Sequence, residues 1–181
     1  MMKAWRSCGP AILLALIASS PAAAQFHTDT DKPLPTPPIK RQNEPLPDGK
    51  LQAVAANAKG ATFIVVDKTR KTGDVADVWL FNVFDPAVDV PGKKSVSQGL
   101  TNETIQCATR IRTEVTVAGY DDAGKKVVDW IPEPKKTIEL KTSDSVVAQV
   151  VCGEAQLPPE SILEGRTAAL QFGRDAAKVR R

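Results

Sequence analysis

The sequence runs to 181 residues, with 24 Lys and Arg against 21 Asp and Glu, a net charge of +3, and a single histidine. That balance lacks the strong basic excess on which nucleic-acid binding draws. His27 alone leaves a serine or cysteine triad and a histidine-based zinc site without candidates, and no Gly-rich phosphate loop is present, so neither an enzyme nor a cofactor is expected.

Lys3 and Arg6 precede the apolar run Ala11 to Ala18, and the following Ser19 to Ala24 ends in an A-x-A site. This is the pattern of a secretory signal peptide, residues 1–24, cut after Ala24. Export to the periplasm, cell surface or medium is expected. No stretch approaches the ~20 apolar residues that span a bilayer, so no transmembrane segment is expected after cleavage. Cys8 lies before the apolar run, leaves with the signal and offers no lipid anchor. Loss of Lys3 and Arg6 leaves 22 basic against 21 acidic residues, a net charge of +1. Two cysteines then remain, Cys107 and Cys152, 45 residues apart. In an oxidising compartment such a pair is expected as a disulfide rather than as a metal or redox site.

Residues 25–47 are polar and carry prolines at 33, 35, 37, 38, 45 and 47. This composition favours extended, disordered chain and predicts a tether rather than a core element. A folded domain is then expected over 48–153, followed by a cationic helical extension over 154–181. Asp48 precedes GKLQAVAANAK, whose Leu51, Val54, Ala55 and Ala58 recur at helical spacing, and predicts a short N-terminal helix capped by Asp48. ATFIVVD (61–67) reads as a strand. After a polar turn, the strand DVADVWLFNVFDP follows. It puts Val75, Trp79, Phe81 and Val83 on one face and Val78, Leu80 and Phe84 on the other, so both faces are expected to be covered. Ala87 to Leu100, with Pro91-Gly92 and Lys93-Lys94, reads as a long exposed loop.

From Glu103 onward the chain alternates. Ile105, Cys107, Ile111, Val115 and Val117 fall on odd positions, and Gln106, Arg110, Arg112, Glu114 and Thr116 on even ones. The pattern predicts one half-buried antiparallel strand with Cys107 facing the core and Arg110 and Arg112 facing out. YDDAG (120–124) makes a hairpin turn and KKVVDWI returns. TSDSVVAQVVCG (142–153) is open to two readings. Its valines favour a strand, whereas Ser143 and Ser145 as caps, and Val147, Val150 and Val151 at i, i+3, i+4, allow a helix ended by Cys152 and Gly153. Ser161 to Arg181 predicts a longer C-terminal helix with a weak stripe of Ile162, Leu163, Ala169, Leu170, Ala176 and Val179.

FIVVD, VWLFNVFD, IQCATRIRTEVTVAGYDDAG, VVDWI and SVVAQVVCG, in this order, resemble the surface-adhesin E family of small bacterial envelope proteins over about residues 61–153. The resemblance implies an α+β fold, an antiparallel β-sheet packed with a helix, and a Cys107–Cys152 bond stapling that helix to the sheet. It thereby selects the helical reading of 146–151. It also implies ligand binding through an exposed basic region, matched here by Lys93, Lys94, Arg110 and Arg112. The expected function is a secreted or periplasmic, non-enzymatic binding protein whose partner is a protein or an anionic polymer. The alternative is an accessory envelope component docking through its C-terminal helix.

Other groupings carry less chemistry. YDDAGKK lacks the spaced acids of a calcium loop. Glu103, Glu114 and Asp129 are carboxylates that nothing in the sequence brings together. Asn102-Glu103-Thr104 fits a glycosylation triplet. Lys125-Lys126, Lys135-Lys136 and Arg180-Arg181 add further dibasic pairs.

Overall fold

The computed structural model describes residues 44–179. The predicted signal peptide, residues 25–43 of the proline-rich segment with His27, and Arg180-Arg181 lie outside the described residues. The strands form in the order β1 (Lys50–Asn57), β2 (Gly60–Val65), β3 (Arg70–Thr72), β4 (Val75–Val88), β5 (Val96–Gln106), β6 (Ile111–Tyr120), β7 (Lys126–Trp130), β8 (Lys136–Thr137) and β9 (Ile162–Glu164). Two α-helices, α1 (Ser143–Val151) and α2 (Gly165–Val179), and two short 3-10 turns, Val66–Lys68 and Pro159–Ser161, complete the described elements. All pairings are antiparallel, in the spatial order β7-β6-β5-β4-β2-β1-β9, with β3 added to β4 and β8 to β6.

The two-faced pattern of β4 becomes two cores. Phe81 and Val83 join Leu51, Phe63, Val65, Leu100 and Tyr120 on one face, which α2 covers through Ala169. Val78 and Leu80 join Ile64, Ala76, Ile105 and Ile138 on the other, which α1 covers through Val147 and Ala148. The sheet therefore buries apolar side chains on both sides, as the sequence of β4 demands.

Residues 50–57 form a strand, not the predicted helix. Alanine favours helix by only a fraction of a kcal/mol per residue. Here Asn57 to Gly60 forms a tight turn into β2, and β1 gains a ladder along β2 as well as three residue pairs with β9. Gly60 adopts a φ of +132°, and a Cβ there would run into the Val83 carbonyl oxygen, so the turn requires glycine. Asp48 does act at a helix start, but at that of α2, where its Oδ1 accepts from the Arg166 N–H at 3.3 Å.

The long loop predicted over 87–100 is shorter than expected. Val96 to Leu100 are buried residues of β5, and the exposed turn is confined to about residues 89–95. The single strand predicted from Glu103 is in fact two, β5 and β6, joined by a turn at 107–110. Asp74 anchors this turn by accepting from the N–H groups of Cys107 and Ala108. Arg110 closes it with a φ of +55°. Because the hairpin pairs odd with even positions (Ile105 with Arg112, Gln106 with Ile111), the face of each parity reverses at the turn. A bulge between Asn102 and Glu103 reverses it back, so that Thr101 pairs with Val117. Arg112 consequently faces the α1 core and is 7% exposed, while Val115 is 46% exposed. Asn102 is buried in β5, which leaves no surface loop for a glycan.

The segment 142–153 is helical, as the resemblance implied, although Thr142 rather than a serine caps it, its hydroxyl accepting from the Ser145 N–H at 3.2 Å. The C-terminal helix begins at Gly165, after the short strand β9, and is seated on the sheet. Gly173 faces Val83 so closely that a Cβ would lie 2.8 Å from it. Gly173→Leu is expected to cost about 2 kcal/mol or more by overpacking. The check is the midpoint of denaturant unfolding, where Gly173 would prove dispensable if the midpoint held.

Candidate functional site

The Cys107–Cys152 disulfide ties the β5–β6 turn to the C-terminal end of α1, with a Cα–Cα distance of 5.6 Å. Gly153 follows with a φ of +82° and ends the helix. The four basic residues expected to share a face do not come together. Lys93 and Lys94 sit in the loop before β5, whereas Arg110 lies in the turn beyond its far end and Arg112 pairs with Ile105 near that end. The 11 residues of β5 separate the pairs by roughly 35 Å at ~3.3 Å per residue. Arg110 pairs with Glu154.

Lys93 and Lys94 instead face the β6–β7 hairpin turn. With Lys125, Lys126, Asp121 and Val127 they line a pocket of about 190 Å³. The turn is rigidly built: Asp121 Oδ1 accepts from the Lys125 N–H at 2.9 Å, and the buried Gln98 donates from Nε2 to the Asp121 carbonyl at 2.7 Å. The Lys125 N–H and, with it, Lys94 hold the Asp121 carboxyl below its ordinary range. Helix α2 adds two cations beside the same turn. The Arg166 guanidinium lies against Gly124, and Arg174 pairs with Asp122 at 3.0 Å. Six basic side chains from three elements thus surround one turn, against Asp121, Asp122 and Asp129. The two arginines were not singled out in the sequence. Their spacing of eight, two helical turns on one face, was the available signal.

At the opposite end of β5 the sheet assembles a buried ionic cluster that sequence reasoning also missed. Glu103 and Glu114 are directly opposed cross-strand partners. Arg112 Nη1 lies 3.2 Å from Glu103 and 2.7 Å from Glu114, and Nη2 lies 2.6 Å from Glu133. Its Nε is 3.1 Å from Asp144 in α1, close enough for an ion pair but off the direction of a hydrogen bond. Glu103 is 2% exposed. Burial, only partly offset by Arg112, pushes its carboxyl up to about 7. Burial works against the Arg112 cation, yet the Glu114 hydrogen bond and the charges of Asp144 and Glu103 outweigh it and raise the guanidinium further. Asp129 takes no part and pairs with Lys126 at 2.5 Å. Among the described residues no group of acids, cysteines or histidine is arranged to hold a metal ion. No helix among them is long and apolar enough to cross a membrane.

No family model matches the sequence, and no curated protein matches it. Solved structures do. Crystal form II of Haemophilus influenzae protein E is 15% identical, with 65% of this chain and 94% of that chain covered and a TM-score of 0.48. A second structure of Haemophilus influenzae protein E is 16% identical, over 61% of this chain and 90% of that chain, with a TM-score of 0.47. Protein E from non-typeable Haemophilus influenzae is 12% identical, over 62% of this chain and 80% of that chain, with a TM-score of 0.42.

Proposed function

We propose that this chain is an exported, non-enzymatic binding protein that meets an anionic polymer or an acidic protein surface through the lysine pocket at the β6–β7 turn. The observation that carries this reading is the convergence of Lys93, Lys94, Lys125 and Lys126 on one pocket beside Arg166 and Arg174. Such a cluster concentrates positive potential locally even where the net charge is near zero. Arg110 and Arg112, which the resemblance would include, lie toward the other end of β5 and are left out of this reading.

Reversing all four lysines to glutamate is expected to weaken binding to immobilised heparin by about tenfold or more, since four contacts at about 0.4 kcal/mol each exceed the 1.4 kcal/mol of one decade. Arg70→Glu, Lys71→Glu, Lys135→Glu and Lys141→Glu together, all exposed and outside the pocket, serve as the charge-matched control. Equal loss in both variants would reduce the effect to net charge and sink the site.

The second reading, an accessory envelope component docking through α2, draws support from the exposure of Phe172 and Val179. Deleting the helix would not test it, because Ala169 belongs to the sheet core. Val179→Glu, at a position 86% exposed, does, with partner retention as the readout.

A further inference from the structure

The Arg112 cluster ties two parts of the chain to the sheet. The strap 131–137 is attached where the Glu133 N–H donates to Glu114 at 2.7 Å, where Glu133 pairs with Arg112, and where β8 pairs with Ile111 and Arg112. The N-terminal turn of α1 is attached through Asp144. Four carboxyl groups face this single guanidinium, and among the described residues the only other cation engaged is Lys136, 2.7 Å from Glu133. On the remaining side, β4 presents Val78 opposite Glu103, which carries no charge. An ionised Glu103 would therefore be opposed by Glu114 directly across the ladder and by Asp144 above it, in a place water does not reach.

We propose that these groups form a proton-sensitive latch. With Glu103 protonated, Arg112 is left to Glu114, Glu133 and Asp144, and it clamps the strap and the start of α1 against the sheet. With Glu103 ionised, its carboxylate competes for the guanidinium and repels Asp144 and Glu114, the acceptor of the strap, and both attachments loosen. The raised affinity of Glu103 for its proton agrees with this and places the transition near neutrality. The disulfide at the other end of α1 keeps the helix tethered, so the change is local.

The test is amide hydrogen exchange of the full chain at pH 6 and pH 8, corrected for intrinsic exchange chemistry. Peptides covering 131–145 are expected to lose about tenfold in protection at pH 8, while those of the central β2 remain constant. Glu103→Gln, which stays neutral, is expected to keep 131–145 protected at both pH values. Constant protection in the native chain, or an undiminished pH response in Glu103→Gln, overturns the latch. Should that variant fail to fold, the carbon-13 titration of the Glu103 side-chain carboxyl in the native chain decides. A midpoint near 7 sustains the proposal, and one near the ordinary 4.5 overturns it.

Discussion

Arg112→Met is expected to destabilise the domain by about 4 kcal/mol, because removing one partner of a buried ion pair leaves the others uncompensated. Glu103 loses its nearest cation, and Glu114 and Asp144 lose the charge that separates them. The loss should grow with pH. Glu103 has a folded pKa raised above its unfolded value, so the stability it contributes is full below about 4.5 and is lost as pH rises through about 7. Without Arg112 that proton is held more tightly still, and ionisation costs more. Denaturant midpoints at pH 5 and pH 8 check both statements. Glu103→Leu combined with Arg112→Met should recover at least half of the loss at pH 8, since a well-packed apolar pair can replace a buried ionic one. A single variant as stable as the native chain at pH 8 would show that the cluster contributes nothing to stability.

Cys107→Ala with Cys152→Ala is expected to cost about 4 kcal/mol by the loop-closure argument for a 45-residue separation. The effect is global in origin, because the unfolded chain gains the freedom, but it also has a local face. Helix α1 is held at its start by Asp144, at its end by the disulfide, and between them by buried Val147 and Ala148. Losing one end weakens the other, so combining the cysteine pair with Arg112→Met should cost less than the sum of the two. Thermal unfolding of the three variants measures the coupling, and strict additivity would show that the ends of α1 act independently.

What could be read from the residues divides by the range of the forces involved. The alternation in β4, the hairpin turn read at 120–124 and found one residue later, and the stop at Gly153 are set by nearest neighbours and by backbone freedom at glycine. The cysteine pair was legible because two thiols in a chain read as exported are expected to have few other fates. Residues 50–57 were misread because helical spacing of small residues says nothing of the β2 and β9 ladders waiting on either side.

Arg112 was placed outward because an even-length turn and a bulge, each reversing the phase, cancel between Ile105 and Val117 and leave the alternation looking unbroken. Only the paired register shows which side chains share a face there. The lysine pocket lies at the same limit. Its dibasic pairs stand in the sequence, but the loop before β5, the β6–β7 turn and α2 meet only once the sheet is built. The chain by itself thus settled which segments alternate, turn and cross-link, since those choices are local. The tertiary structure alone decided which charges are buried together and which converge on the surface, because pairing across distant strands fixes both the facing and the desolvation of each side chain.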